Sequence, residues 1–250
     1  MQILKKIIKF LLSKTGYSII PSQAISVEEP IREYSDQQKI VGDKEVTIFD
    51  VGAHQGQTST LYNNLFKNAT IYSFEPSPEA FEVLKKTCEA HKNITPFNIA
   101  LSNTSGSVKF HLNQSSQTNS LLKTDDRSDK TWPVNLLNTK ETINIDCVTI
   151  DDFVTQNNIS HIDILKLDTQ GTEYQIIEGA AQTIALKKIK LIYLEIITMP
   201  TYSGQKHFDE VLYLLRSKGF QLFNLYNYSY TEFGELRQVD AIFIYNYDFL

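Results

Sequence analysis

The sequence predicts an α/β domain with a mostly parallel sheet and helices on both faces. Three observations lead to this fold class. Short apolar strand patterns alternate with helical patterns from Val46 onward. The 250 residues suit one domain of this kind. Hydrophobic residues make up 42% and charged residues 21%, so a sizeable core is expected and global disorder is not.

The first 45 residues are predicted to precede the domain as an amphipathic helix and a connector. In residues 1–14, apolar residues at helical spacing alternate with lysines. The lysines interrupt the apolar run. No apolar stretch therefore reaches the ~18 residues of a membrane-spanning helix or forms the unbroken core of a secretory signal. Packing against protein and peripheral contact with a membrane surface both stay open for this helix. Residues 21–45 contain prolines and charges, which favours a connector.

The domain, residues 46–250, is predicted element by element from hydrophobic periodicity and turn residues. In chain order the predictions are a strand at VTIFDV, a helix from Ser59 to Lys67, a strand at ATIYSFEP, a helix from Ser77 to about His91, strands at NITPFNIAL, SGSVKFHL and TINIDCVTI, a helix from Ile150 to Asn157, a strand at IDILKLD, a helix from Tyr174 to Leu186, a strand at IKLIYLEII, a helix from Phe208 to Lys218, and strands at FQLFNLY and VDAIFIYN.

A polar insertion at residues 113–140 interrupts the alternation of strands and helices. It is too long for an ordinary connection in a compact domain, so we expect it to be either mobile or functional. The insertion and residues 198–206 are predicted to border a substrate pocket. Trp132 and Tyr202 are aromatic candidates for stacking on a substrate, with packing beneath the loops as the alternative.

A turn of small residues follows the first strand and predicts a ligand site. Asp50 ends the strand, and Gly52 and Gly56 enclose a short turn that contains His54. Gly52 allows a tight turn, Gly56 allows close approach of a ligand, and the next helix offers free N–H groups. The G-x-x-x-G spacing differs from the G-x-G-x-x-G of dinucleotide sites, which disfavours a nicotinamide cofactor. It favours S-adenosylmethionine, which has no phosphate; Asp50 would orient the turn or receive its ammonium group.

An acid at the tip of the second strand supplies the expected ribose contact. Glu75 is followed at once by Pro76, and a carboxylate in this place of a βαβ unit can accept both ribose hydroxyls. A solvated acid at a strand end is the alternative. At the end of the third strand, Ala100 and Leu101 are predicted to lie near the adenine.

These motifs resemble the FkbM family of S-adenosylmethionine-dependent methyltransferases. The resemblance covers roughly Val46 to Tyr245 and rests on FDVGAHQGQTS, YSFEPSPEAFEVL, NIALSNTSGSVKF, DILKLDTQGTEYQIIEGA and LIYLEI. It implies a Rossmann-like sheet of seven strands with an antiparallel last strand. It also implies methyl transfer from S-adenosylmethionine to a hydroxyl oxygen, often on a sugar or a natural product. Family members often carry Asn where this chain has His54, so the role of that side chain stays open.

Three acids are predicted to serve the chemistry, because a hydroxyl acceptor must lose its proton to a positioned base. Asp168, at the end of the fourth parallel strand, is the first candidate and is also a candidate cofactor contact; Lys166 shares its face of the strand. Glu173 begins the next helix, where the helix dipole is an alternative reason for an acid. Glu195 lies in a central apolar strand, where a carboxylate is costly unless paired or open to the crevice. Carboxylates could bind a divalent cation, but no spacing requires one and no metal is predicted.

Composition narrows the classes of function that remain. The net charge of −5 gives no indication of a nucleic-acid binder. Cys88 and Cys147 lack metal-binding spacing and are expected to be reduced, buried thiols of a cytoplasmic protein. The leading hypothesis is an S-adenosylmethionine-dependent O-methyltransferase acting on a sugar, glycan or natural product. A non-catalytic binding module on the same fold is the alternative, and a nicotinamide-dependent oxidoreductase is less favoured. The sequence specifies neither the acceptor nor the oligomeric state.

Overall fold

Ten strands form two sheets in the structure, a computed structural model that describes residues 32–42, 44–133 and 135–245. The helix predicted over residues 1–14 lies outside the described residues. The chain divides into two units, residues 1–35 and 36–250, and both sheets belong to the second. The strands are β1 (Val46–Val51), β2 (Ala69–Phe74), β3 (Ile94–Phe97), β4 (Ala100–Leu101), β5 (Gly106–Asn113), β6 (Thr139–Val148), β7 (Ile162–Leu167), β8 (Ile189–Ile197), β9 (Phe220–Tyr230) and β10 (Leu236–Tyr245).

The main sheet has seven strands in the order β3-β2-β1-β7-β8-β10-β9. Strand β10 runs antiparallel to both of its neighbours, and the other six strands share one direction. The predicted mostly parallel sheet with an antiparallel last strand is therefore confirmed. Strands β7 and β8 are buried along nearly their whole length, as continuous apolar runs in a doubly covered parallel sheet should be.

The helices are α1 (Arg32–Val41), α2 (Gln57–Leu65), α3 (Pro78–Cys88), α4 (Ile150–Gln156), α5 (Glu173–Glu178), α6 (Ala181–Ala185) and α7 (Phe208–Ser217). Helix α1 lies within residues 21–45, for which the sequence predicts a connector. Two residues of α1 that belong to the second unit make side-chain contacts within it: Gln37 accepts a hydrogen bond from Tyr62 Oη (2.8 Å), and Asp36 accepts one from Tyr226 Oη (3.0 Å). Among the described residues, no helix has the length and apolar character needed to cross a bilayer.

The single helix predicted from Tyr174 to Leu186 is two short helices, α5 and α6. The break falls at Gly179, where a Cβ atom would lie 2.1 Å from the carbonyl oxygen of Ser102. The Gly179 carbonyl accepts a hydrogen bond from Asp151 N (3.0 Å), and the Asp151 carboxylate accepts the N–H groups of Gln182 and Thr183 in α6. Contacts with distant parts of the chain therefore end the first helix and cap the second.

An aromatic cluster supports the end of β1 where the first glycine turn begins. Phe49 and Phe74 are fully buried, with ring centroids 5.3 Å apart, and Phe153 of α4 packs edge-on against Phe74 at 4.8 Å. Burial of each such side chain stabilises the fold by roughly 1.5–3 kcal/mol. This packing fixes the carboxyl ends of β1 and β2 relative to each other.

The smaller sheet has the order β4-β6-β5 and carries the polar insertion between β5 and β6. The insertion includes two short 3-10 turns, Ser116–Thr118 and Ser128–Lys130. Backbone hydrogen bonds connect it to the loop after β8, from Asp125 N to Thr201 O (2.9 Å) and from Ser203 N to Lys123 O (2.7 Å). The insertion is thereby held beside the carboxyl end of the main sheet.

Candidate active site

A cavity of about 550 Å³ lies at the carboxyl ends of β1, β2, β7 and β8. Its walls come from the turns after β1 and β7, the start of β4, the insertion and the first residues of β10. Ligands of open α/β sheets bind at this edge, and the volume is within the range of small-molecule sites. Which ligand can bind in the cavity depends on the contacts that each predicted residue makes.

The two glycines of the first turn have different structural roles. Gly52 lines the cavity at a φ of +75°, and a Cβ atom there would lie 1.9 Å from the carbonyl oxygen of Asp168. Only glycine lets the ends of β1 and β7 approach this closely. Gly56, at a φ of +91°, does not line the cavity; a Cβ atom there would meet Leu84 and Thr87 of α3. Its geometry favours packing of α2 against α3 over the predicted contact with a cofactor.

A buried ion pair supports the same turn. Asp50 is fully buried; its Oδ2 accepts a hydrogen bond from Ser59 Oγ (2.6 Å), and its Oδ1 lies 3.0 Å from Lys166 Nζ. Lys166 also donates to the carbonyl oxygen of Gly52 (3.0 Å) and lies farther, 3.8 Å, from Asp168 Oδ2. Asp50 does not line the cavity, which favours the first of its two predicted roles, orienting the turn.

Glu75 lines the cavity with a buried, fully oriented carboxylate. Its Oε2 accepts the N–H of His54 (2.9 Å), and its Oε1 accepts the N–H of Ser77 (2.8 Å). Each carboxylate oxygen keeps another lone pair, so the pair can still accept two hydroxyl groups. Burial raises the pKa of Glu75 to about 7, against the opposing effect of the two backbone hydrogen bonds.

An apolar wall adjoins Glu75. It consists of Phe74, Ile99 and the two residues of β4, Ala100 and Leu101, all of which line the cavity. Asn98 Nδ2 donates to the carbonyl oxygen of Glu75 (2.8 Å), so the ends of β2 and β3 are held together. Such a wall can pack against a flat apolar ring next to a ribose. It lies where the sequence predicts an adenine contact.

His54 connects the first turn with the insertion. The residue lines the cavity at a φ of +49°, and its Nε2 lies 2.9 Å from Ser116 Oγ. Burial lowers the pKa of His54, with Asp168 raising it and Lys166 lowering it to smaller extents. The imidazole is therefore neutral near pH 7 and serves as a hydrogen-bonding link across the cavity.

Two of the predicted acids, Asp168 and Glu195, are linked through one amide at the cavity wall. Gln170 Nε2 donates to Asp168 Oδ1 (3.1 Å) and to Glu195 Oε2 (2.8 Å). Gln238 Nε2 donates to the other oxygen of Glu195 (2.7 Å). All four residues line the cavity. Sequence reasoning missed both glutamines; Gln170 lies within the KLDTQGTE motif, whereas nothing in the sequence near Gln238 indicates its role.

Negative neighbours dominate the electrostatics around Glu195. Burial raises its pKa well above the ordinary value, and Asp168, Asp240 and Glu173 raise it further. Lys166 opposes them. Glu195 lines the cavity and keeps part of its surface exposed, so the carboxyl group can be reached from the cavity.

Glu173 lies behind the turn that follows β7. Its buried carboxylate accepts hydrogen bonds from Thr169 N (2.8 Å), Thr169 Oγ1 (3.0 Å) and Gly171 N (3.1 Å). Burial raises the pKa of Glu173 to about 7. Glu173 does not line the cavity, so its contacts favour holding the turn over the predicted catalytic role.

The two predicted aromatic residues occupy different positions. Trp132 lines the cavity, and its Nε1 donates to Thr201 Oγ1 (2.8 Å). Tyr202 is buried behind the wall, with its hydroxyl 2.9 Å from Thr118 O and 3.0 Å from Gln170 Oε1. Across the part of the chain that the structure describes, no group of three or more His, Cys, Asp or Glu side chains could hold a metal ion.

The sheet order and the cavity define a Rossmann-like α/β protein with a ligand site at the carboxyl ends of its parallel strands. Residues 50–222 match the sequence model of the Methyltransferase FkbM domain, and the chain belongs to that family. The protein is thus a methyltransferase whose methyl donor is S-adenosylmethionine. The family predicted from the sequence motifs is confirmed.

Two characterised proteins show detectable sequence similarity. The 2-O-methyltransferase NoeI of Sinorhizobium fredii is 26% identical over 184 residues, covering 68% of this chain and 71% of its own. The hexuronic acid methyltransferase AglP of Haloferax volcanii is 22% identical over 180 residues, covering 68% and 67%. Among solved structures, the fibrillarin pre-rRNA processing protein of Methanococcus jannaschii has a TM-score of 0.48 at 15% identity, covering 82% of this chain and 68% of that one.

Proposed function

We propose that the protein transfers the methyl group of S-adenosylmethionine to a hydroxyl oxygen of a sugar or glycan. The observation that carries this proposal is the pair of carboxylates, Asp168 and Glu195, held by Gln170 at the cavity wall. A hydroxyl needs a base of this kind to become a nucleophile. The names of both relatives support the same class, since one is a 2-O-methyltransferase and the other a hexuronic acid methyltransferase.

The cavity residues fit the cofactor. Its volume suits a nucleoside with an amino-acid tail, and the apolar wall of Ala100 and Leu101 suits an adenine ring. Glu75 would accept the ribose hydroxyls, while Gly52 and Asp168 would border the amino-acid end. When bound, S-adenosylmethionine supplies an electrophilic methyl group on a sulfonium. The carboxylates of the wall favour such a cation.

Glu195 is the proposed base, with Asp168 as its neighbour on the cofactor side. In its ionised form, a carboxylate of raised pKa takes a proton from a hydroxyl more readily than an ordinary one, so the reaction requires a pH at which Glu195 is ionised. The amides of Gln170 and Gln238 each occupy one oxygen of Glu195 and fix its orientation. Each oxygen keeps a lone pair that can accept the proton of the acceptor. Alignment of the acceptor by the same wall supplies a further part of the rate.

The test is a transfer assay with deuterated-methyl S-adenosylmethionine and a panel of methyl glycosides. Mass spectrometry detects the label, and NMR locates the methylated atom. We expect an O-methyl product, and a loss of about 10²–10⁴-fold in kcat for Glu195→Gln, the usual contribution of a general base. Glu232→Gln, at an exposed site in the β9–β10 turn, is the matched control. A methyl group on nitrogen or carbon, or full activity of Glu195→Gln, would contradict the proposal.

The proposal includes a cytoplasmic location. Cys88 and Cys147 are both free and buried, and burial raises the pKa of each thiol to about 11. Unpaired thiols of this kind are typical of proteins in a reducing compartment. Fractionation of cells that express the full chain, followed by a high-salt wash, tests this location and the peripheral membrane contact predicted for residues 1–14.

A further inference from the structure

The charged groups on the cavity wall are mostly carboxylates. Glu75, Asp168 and Glu195 line the cavity, and among the described lining residues Lys166 is the one that carries an ammonium group. Lys166 Nζ lies 3.0 Å from a carboxylate oxygen of Asp50, which is fully buried. Asp168 Oδ2 lies 3.8 Å from the same ammonium group, so one positive charge is shared between Asp50 and Asp168, and the carboxyl groups around it outnumber it.

At the acceptor end, no cation other than Lys166 is found among the described residues that line the cavity. Asp168 and Glu195 lie there, and the amide donors of Gln170 and Gln238 are directed at these carboxylates. The insertion contributes uncharged side chains to this wall: Gln117, Asn119 and Trp132.

Arg237 is a cation that lies just outside the wall. Its guanidinium is 4.5 Å from the ring centroid of Trp132, but Arg237 does not line the cavity. Its donors reach Ser229 Oγ (2.7 Å) and Thr131 O (3.3 Å), so the guanidinium is engaged by acceptors of the protein.

These charges act directly on any acidic acceptor. A carboxylate about 6 Å from Glu195 in a partly buried site would weaken binding by roughly a hundredfold at an effective dielectric constant of about 20. It would also favour the protonated form of Glu195, since every added negative charge raises the pKa of that group further. An acidic sugar would thus either be repelled by an ionised Glu195 or leave Glu195 protonated and unable to act as the base.

We infer that the sugar unit that enters this cavity is uncharged, and that uronic acids are excluded by the carboxylates of the wall. The inference rests on the proposed function and specifies its acceptor. It separates this chain from its Haloferax volcanii relative, whose name assigns it a hexuronic acid. A neutral sugar meets no like charge in the cavity, and its hydroxyls can donate to the same carboxylates that repel an acid.

Matched pairs of sugars test the inference, because an amide and a carboxylate differ in charge and hardly in shape. The pairs are methyl glucuronamide with methyl glucuronate and the corresponding galacto compounds, with neutral methyl hexosides beside them. Binding is followed by saturation-transfer NMR on protein loaded with S-adenosylhomocysteine, and kcat/KM by the transfer assay. We expect the neutral member of each pair to exceed the acid by at least about tenfold. Equal or better binding of the acids, or no binding of any neutral glycoside, overturns the inference.

Substitutions at two positions test whether charge causes the selectivity. Gln117 is exposed at the cavity wall, and Gln117→Arg should raise the acid-to-amide ratio by about tenfold, with Gln117→Met as the uncharged control. An unchanged ratio in Gln117→Arg would show that charge does not select the acceptor. An acid preference of the natural protein that disappears in Arg237→Gln would overturn the inference and assign anion recognition to Arg237.

Failure of this inference differs from failure of the proposed function. Methylation of a uronic acid hydroxyl, with neutral sugars ignored, would leave the O-methyltransferase intact and refute the charge argument. Transfer to nitrogen, with neutral sugars still bound in preference to acids, would refute the proposed function and leave the charge selection standing.

Discussion

Replacing Glu75 by alanine should weaken the binding of S-adenosylmethionine and S-adenosylhomocysteine. The Glu75 carboxylate is 6% exposed and is oriented by the N–H groups of His54 and Ser77. Its free lone pairs face the cavity, where they would accept the ribose hydroxyls. A hydrogen bond to a charged group contributes roughly 1.5–3 kcal/mol after the exchange with water is taken into account. We therefore expect a net loss of about 1–3 kcal/mol, or roughly 5- to 150-fold in Kd.

Isothermal titration with S-adenosylhomocysteine at pH 8 measures this loss directly. Glu79→Ala is the matched control, because Glu79 is an exposed acid in the first turn of α3, close in sequence to Glu75. Thermal unfolding of both variants separates a binding effect from a folding effect, since alanine also leaves two backbone N–H groups without their carboxylate partner. An unchanged Kd in a folded Glu75→Ala protein would refute the ribose assignment.

The pH dependence of binding gives an independent check on Glu75. Its pKa is raised to about 7 by burial, and the ribose contact requires the ionised form. Affinity for S-adenosylhomocysteine should be complete above pH 7 and should fall as the pH is lowered, approaching tenfold per unit. Glu75→Gln cannot titrate and should lack this component. The same pH slope in both proteins would assign the titration to another group.

Three other substitutions test the support of the cavity. Gly52→Ala should lower the free energy of unfolding by about 2–4 kcal/mol, because a Cβ atom would lie 1.9 Å from a carbonyl oxygen. Gly234→Ala is the control: this glycine has a φ of +84° and nothing within 4 Å of the added Cβ atom, so the loss of stability should be smaller. Equal losses of Tm in the two variants would contradict the close-approach argument. Lys166→Met should destabilise the protein by about 3–5 kcal/mol in urea titrations, with partial recovery when Asp50→Asn is added. Burial raises the pKa of Glu173 from 4.5 to about 7, so its contribution to the free energy of unfolding is greatest below pH 4.5 and falls by about 3 kcal/mol as the pH rises to 7. Glu173→Gln should flatten this part of the curve of stability against pH. A loss of kcat with an unchanged curve would instead support a catalytic role.

The fold was predictable where the chain's own periodicity decides it. Strands β1, β7 and β8 are continuous apolar runs bounded by turn residues, and their burial on both faces follows from that composition. The break at Gly179 was not predictable, because it depends on the backbone of Ser102 and the side chain of Asp151. Helix α1 was missed for the same reason, since its polar residues gain their stability from tyrosines far along the chain.

Some residues of the site could likewise be predicted from the sequence, and others could not. Glu75 and Asp168 follow strand ends, where any parallel sheet opens to a ligand, so position alone indicated them. Lys166 lies within ion-pair distance of Asp168, with which it shares a strand face, but Asp50 is closer, and the strand pattern alone does not reveal this second carboxylate. Ser116 and Gln238 come from elements that meet the cavity only after the chain has folded, and no local pattern marks them.

Gln170 shows how this chain connects local backbone conformation to chemistry. It adopts a φ of +57°, which costs a residue with a side chain about 1–2 kcal/mol. Glycine would remove that cost, but it would also remove the amide that links Asp168 with Glu195 and contacts the Tyr202 hydroxyl. The left-handed turn is what directs this side chain back across the cavity wall. Gln170 thus adopts an unfavourable backbone conformation, and its amide holds a pair of carboxylates at the cavity wall.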